Sequence, residues 1–131
     1  MSVNLDPFES QYKLASQANR LSEARDFTGA LEVIERMSEL FPKWDCLFRA
    51  TFKAARTGNA ELAESLANRI TTDDIHLTKS NAVRFAVDAF VNKGDYLNAN
   101  RVAKTIPDSW MRSATVSCVA FAKQEHRTNL Y

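Results

Sequence analysis

Apolar residues recur along this chain at helical spacing, in blocks separated by short polar or turn-forming stretches. In the first block Phe8, Leu14, Ala15, Ala18 and Leu21 share one face, while Gln11, Lys13, Asn19 and Glu23 face away, predicting a helix from about Pro7 to Arg25. Ala30, Leu31, Ile34, Met37 and Leu40 predict a second helix, Phe27 to Phe41. Leu47, Ala50, Thr51 and Ala54 predict a third, Lys43 to Arg56, with Phe48 and Phe52 widening its apolar side. Ala63, Leu66, Ala67 and Ile70 mark a fourth, Ala60 to Ile70. Ala82, Val83, Ala86, Val87 and Phe90 mark a fifth, Ile75 to Lys93. Ala99, Val102, Ala103 and Ile106 mark a sixth, Tyr96 to Thr105, and a seventh runs from Ser109 to Glu125. Residues 1–5 read as a loose arm and the end of the chain, to Tyr131, as frayed.

The breaks between blocks have their own chemistry. Gly94 supplies the left-handed backbone that ends a helix cheaply, and Asp95 can cap the next helix with its short acceptor side chain. Gly58-Asn59 repeats that arrangement, and Arg25-Asp26 does so without the glycine. Asp6-Pro7 reads as a helix start and Pro42 as the stop of the second helix. Thr71-Thr72-Asp73-Asp74 is a turn with several capping side chains, and Pro107-Asp108-Ser109 breaks and recaps the chain. The spacing is periodic. Ala63 lies 33 residues after Ala30 and Ala99 lies 36 after Ala63; Gly94 lies 36 after Gly58. Lys43, Lys79 and Arg112 fall in register, as do Leu47, Val83 and Val116. Paired helices at such a period are a solenoid signal.

The run Ala89-x4-Gly94-Asp95-x3-Ala99, followed by an apolar helix, resembles the repeats of the tetratricopeptide-like superfamily. The segment Val102 to Ser113, with Ile106, Asp108 and Arg112, is similar to the link between such repeats. The resemblance covers about residues 8–122. It implies an all-α fold, a right-handed α-solenoid of antiparallel helix pairs with about seven helices. The chain would be one domain, 1–131, with repeat units at about 8–41, 43–70 and 75–106 and a capping helix at 109–125. It also implies a non-catalytic interaction module: an adaptor, small chaperone or inhibitor holding a protein or peptide segment. Pentatricopeptide relatives suggest a different ligand, single-stranded RNA. Secretion chaperones and phage or bacterial immunity factors are further settings for small repeat proteins.

Composition narrows this picture little. The 131 residues carry three Gly and three Pro, few for a sheet protein with many turns, and a net charge of +1 gives no general pull on nucleic acid or membranes. The start of the chain lacks a secretory pattern and no stretch has the ~18 consecutive apolar residues of a membrane span, so a cytoplasmic setting is expected. Cys46 and Cys118 both sit among apolar residues, which predicts two buried reduced thiols. Phosphate-loop, dinucleotide, HExxH and CxxC patterns are absent. His76 and His126 lack partners at ligand spacing, and Asp73-Asp74 reads as a cap rather than an acid/base pair. No catalytic residue, cofactor or metal site is expected.

The candidate binding residues are basic and aromatic. Lys43, Lys79 and Arg112, with Arg49, Lys53, Arg56 and Arg84, could form a positive stripe lining a groove for an acidic segment or a nucleic-acid backbone; the favoured reading is a solvated face with stems over apolar neighbours. Trp44 and Trp110 open the third and seventh helices, either as plugs between repeats or as exposed anchors. The phenylalanines fall at core spacing. Self-association through the first or last helix is compatible with the pattern.

Overall fold

In a computed structural model describing residues 7–38, 41–71, 73–74 and 76–129, the described residues form seven helices and no strand. These are α1 (Pro7–Glu23), α2 (Phe27–Glu35), α3 (Phe41–Arg56), α4 (Ala60–Asn68), α5 (Thr78–Asn92), α6 (Tyr96–Ala103) and α7 (Ser109–Asn129). The expected arm at 1–5, Leu40 and Ile75 lie outside the described residues.

Three of the connections share one construction. A residue with positive φ closes the first helix: Arg25 (64°), Gly58 (85°) and Gly94 (76°). The next residue turns its own N–H back five residues, Asp26 to the Leu21 carbonyl (2.8 Å), Asn59 to Ala54 (3.0 Å) and Asp95 to Phe90 (2.9 Å). Together with the shorter bonds from Arg25, Gly58 and Gly94 three residues back, this is the Schellman closure of a helix. The same residue then starts the next helix. Asp26 Oδ1 accepts from the N–H of Gly29 (2.9 Å), Asn59 Oδ1 from Leu62 (3.3 Å) and Asp95 Oδ1 from Asn98 (3.2 Å). Their backbone angles agree within a few degrees, φ −89° to −94° and ψ 73° to 78°. At Gly29 a Cβ would stand 2.5 Å from the Asp26 carboxylate as it is now turned, whereas the Asn59 and Asp95 caps accommodate Leu62 and Asn98 at the same position.

The junctions leading from an even helix to the next odd one are less uniform. Met37, Ile70 and Ile106 are buried at the exits of α2, α4 and α6. Lys79 Nζ donates to the Ile70 carbonyl (2.6 Å) and Arg112 Nη1 to the Ile106 carbonyl (3.1 Å), satisfying acceptors at the helix ends. Before α5, Leu77 takes positive φ (53°) and makes no side-chain cap. Asp74 does that work from three residues upstream, accepting from the N–H of His76 and from the N–H and hydroxyl of Thr78. Asp73 Oδ2 accepts from the buried hydroxyl of Ser80 (2.7 Å), and Ser80 Oγ accepts in turn from the N–H of Asp108 (3.0 Å). One hydroxyl thus ties the entry of α5 to the entry of α7.

Packing follows chain order. Each odd helix touches the next odd helix, and α2, α4 and α6 each touch the odd helices before and after them. The core is rich in small side chains, including Ala18, Ala50, Ala54, Ala63, Ala67, Ala82, Ala86 and Ala99, which let helices approach closely around Leu47, Leu66, Val83, Val87 and Phe90. Neighbouring layers are also linked on the surface by Glu35–Arg69, Glu61–Lys93 and the two-pronged Glu64–Arg101 pair (2.8 and 2.9 Å). Exposed pairs of this kind contribute roughly 0.2–1 kcal/mol each.

Several expected boundaries move. The second helix stops at Glu35 rather than Phe41, and Pro42 lies in the first turn of α3 instead of ending α2. A proline fits there because first-turn N–H groups lack intrahelical acceptors. Helix α5 begins at Thr78, where Asp74 and Asp73 accept from the N–H groups of Thr78 and Ser80 in its first turn. Helix α4 ends at Asn68 and α6 at Ala103, while α7 continues to Asn129.

The left-handed residues give a direct test. No atom lies within 4 Å of a Cβ built on Gly58 or Gly94, so the backbone conformation alone resists substitution there. Gly94→Ala is expected to lower stability by about 1 kcal/mol and Arg25→Gly to raise it by a similar amount. Urea denaturation midpoints check both signs; equal midpoints for Arg25→Gly and the wild type would contradict the strain at Arg25.

Candidate interaction surface

The members of the expected basic set meet different partners. Lys79 and Arg112 are bound to the carbonyls named above. Arg49 pairs with Asp45 on its own helix (2.9 Å) and Lys53 with Glu23 of α1 (3.4 Å). Lys43 lies over the ring of Trp44 (6.0 Å), and Arg84 lies over Phe85 (5.9 Å). The tryptophans divide: Trp44 is half-buried against the core, whereas Trp110 is 80% exposed at the start of α7.

The more coherent surface is aromatic. Phe85 of α5 packs edge-on against Phe48 (5.3 Å between centroids) and Phe52 (5.0 Å) of α3. Phe48 and Phe85 are half-buried, and Phe52 is 39% exposed, so the three rings form a ridge at the surface. This corrects the expectation that the phenylalanines belong to the core: among those whose side chains are described, Phe90 alone is fully buried, and Phe121 is 64% exposed. The reason is geometric. On α3 the apolar arc from Leu47 through Phe48, Thr51, Phe52 and Ala55 is wider than the stripe one set of neighbours can cover.

Two arginines accompany the ridge. Arg56 lies over Phe52 (5.5 Å from guanidinium carbon to centroid), opposite Arg84 over Phe85. Cation–π contacts use the charge and leave the N–H donors available. Among the described residues neither guanidinium forms a hydrogen bond or an ion pair. Asp88 shares a small pocket of about 280 Å³ with Phe52, Arg56 and Phe85. Partial burial pushes its carboxyl above the ordinary carboxylate range, with Arg84 acting the other way.

Beside the ridge, α1 and α3 enclose a cleft of about 780 Å³. Its walls include Tyr12, Ala15, Asn19, Pro42 and Arg49. Asn19 Oδ1 is buried and has no hydrogen-bond partner among the described residues. A smaller hollow of about 190 Å³ shares Asp45 with it and is lined by Phe48, His76, Thr78 and Asn81. The cleft volume falls within the range of ligand pockets.

The remaining candidate groups are accounted for by structure. His76 is exposed beside its cap residue Asp74, and His126 leans on the ring of Tyr96 (5.7 Å). The Thr78 hydroxyl and N–H hold the Asp74 carboxyl below its ordinary range, and the Asn98 side-chain and backbone donors do the same for Asp95. Among the described residues no three His, Cys, Asp or Glu side chains gather to hold a metal ion, and no helix is long and apolar enough to cross a membrane.

The chain matches no protein-family model, no curated protein and no solved structure. What the surface can do therefore rests on its own geometry.

The cysteines also separate. Cys46 is buried, its thiol placed to donate to the Ala15 carbonyl (3.7 Å), and burial pushes it up to about 11. Cys118 is exposed, which corrects the expectation of two buried thiols; it stands on the solvent side of α7 with Ala114 and Phe121. One thiol is expected to react rapidly with an aromatic disulfide at pH 8 in the native state and two in denaturant. Cys118→Ser is expected to remove the fast reaction; its persistence in that variant would show that Cys46 is accessible.

Proposed function

We propose that the protein is a non-catalytic interaction module of the tetratricopeptide-like kind, an α-solenoid that holds a segment of another protein on the face made by α1, α3 and α5. The observation that carries this reading is the Phe48–Phe52–Phe85 ridge. Aromatic side chains left at the surface beside open clefts, with arginine next to them, are the composition of partner-binding patches. The repeated capped turns support a rigid scaffold, so binding needs little ordering of the protein itself. Adaptor, small chaperone and inhibitor all use such a surface in the same physical way.

Single-stranded RNA is the second reading, favoured by arginine beside aromatic rings. Two observations weigh against it. Edge-to-face packing leaves no row of open ring faces for bases, and guanidiniums already cover the faces of Phe52 and Phe85.

The test is capture of bound material from native lysate by the tagged full chain, with and without nuclease. A dominant protein is expected that survives nuclease and is lost with Phe52→Ala. Loss of all bound material on nuclease treatment would transfer the function to RNA.

A further inference from the structure

The ridge has a charge pattern as well as a shape. Arg56 and Arg84 flank three phenylalanines, and the donors of both guanidiniums are unused by the described residues. The neighbouring charges are largely neutralised within the protein: Arg49 by Asp45, and Lys53 and Glu23 by each other. Asp88 is the opposing carboxylate at the ridge, and it stands beside Arg84 one helical turn away. The result is an apolar strip bordered by two exposed cations whose donors are bonded to no described protein group. Guanidinium held on an aromatic face is pre-positioned, so pairing with a carboxylate costs less side-chain entropy than it would for a free arginine.

We propose that Phe48, Phe52 and Phe85 with Arg56 and Arg84 form a recognition subsite for an acidic, aliphatic protein segment. Its leucine-type side chains cover the ridge while adjacent carboxylates take the two guanidiniums. This rests on the interaction-module reading and adds to it the chemistry of the partner. Complementarity sets the choice of occupant. A basic segment would leave both arginines facing like charge, and a purely apolar one would cover their donors without replacing water. Asp88 then acts as a discriminator, disfavouring a carboxylate placed at the α5 end of the strip and leaving the Arg56 side for the stronger contact.

The experiment uses the full chain and three fluorescent probes of equal length: a capped peptide alternating Glu and Leu, its Lys–Leu counterpart, and oligouridine. Fluorescence anisotropy is read at low and moderate salt. The Glu–Leu peptide is expected to bind and the Lys–Leu peptide to bind at least about ten-fold more weakly. Arg56→Glu with Arg84→Glu is expected to weaken the Glu–Leu peptide by about ten-fold or more, and Arg84→Lys by less, because charge without the planar fork is retained. Asp88→Asn is expected to tighten it about two-fold, a gain that a merely structural role would not produce. Circular dichroism on each exposed-site variant checks folding.

Failure of the Glu–Leu peptide to bind at about 1 mM, equal binding of the Lys–Leu peptide, or indifference to the double Arg variant overturns the subsite. Preference for oligouridine overturns it in favour of a nucleic-acid surface. The two levels of inference separate in the lysate experiment. A nuclease-resistant protein retained by the Arg56→Glu/Arg84→Glu variant sinks the subsite and leaves the module standing; no protein captured by the wild type sinks the module.

Discussion

Everything in this fold hangs on a residue that serves two helices at once. Asp26, Asn59 and Asp95 each close one helix with the backbone N–H and open the next with the side-chain oxygen. The two tasks share one pair of backbone angles, so the direction of the following helix is specified locally, by the turn itself. Buried alanines then let the helices settle at short distance, and leucine, valine and phenylalanine fill the space between. Without the shared angles, the same alanine-rich faces would specify no single crossing, because small side chains give little steric preference of their own.

How much of this was legible depends on where local chemistry speaks for itself. The three capped turns could be read from Arg25-Asp26, Gly58-Asn59 and Gly94-Asp95, since short acceptors after a left-handed residue act within a few residues. The inward faces of α3 and α5 could be read as well, because 3.6-residue periodicity reports burial directly. The start of α3 could not. Proline suits a stop and a first turn equally, and neighbouring Phe41 extended either helix. The start of α5 was hidden for a related reason. Its caps act from Asp73 and Asp74 across a left-handed Leu77, and aliphatic residues seldom occupy that conformation.

The candidate surface was the least legible part. Lysines and arginines in register suggested a groove, yet Lys79 and Arg112 reach carbonyls at helix exits, contacts that depend on where the chain passes rather than on spacing. Phenylalanine is apolar enough to look like core at any inward-facing position. Only packing distinguishes Phe90, enclosed by its neighbours, from Phe52 and Phe121, which hold matching register positions on α3 and α7 and face solvent. The available sign was the excess width of the apolar arc on α3. Arg56 stood in the basic set beside Arg84, but nothing in the sequence marked its place over Phe52, since a basic residue in a helix's last turn already has a reason to be there.

The contact pattern gives the helices unequal kinetic standing. α5 packs against α3, α4, α6 and α7, and Ser80 ties its entry to that of α7, whereas among the described residues α1 packs chiefly on α2 and α3. Breaking away α1 exposes one interface; breaking away α5 dismantles the domain. Backbone amides of α5 are therefore expected to exchange with solvent only through global unfolding, and those of α1 through a cheaper opening. Phe85 and Arg84 belong to the slow class, and the far wall of the cleft to the fast one. A ligand spanning both would slow exchange in α1 far more than in α5, so the footprint measured by exchange would be displaced toward the chain's first helix and away from the atoms that carry the contact.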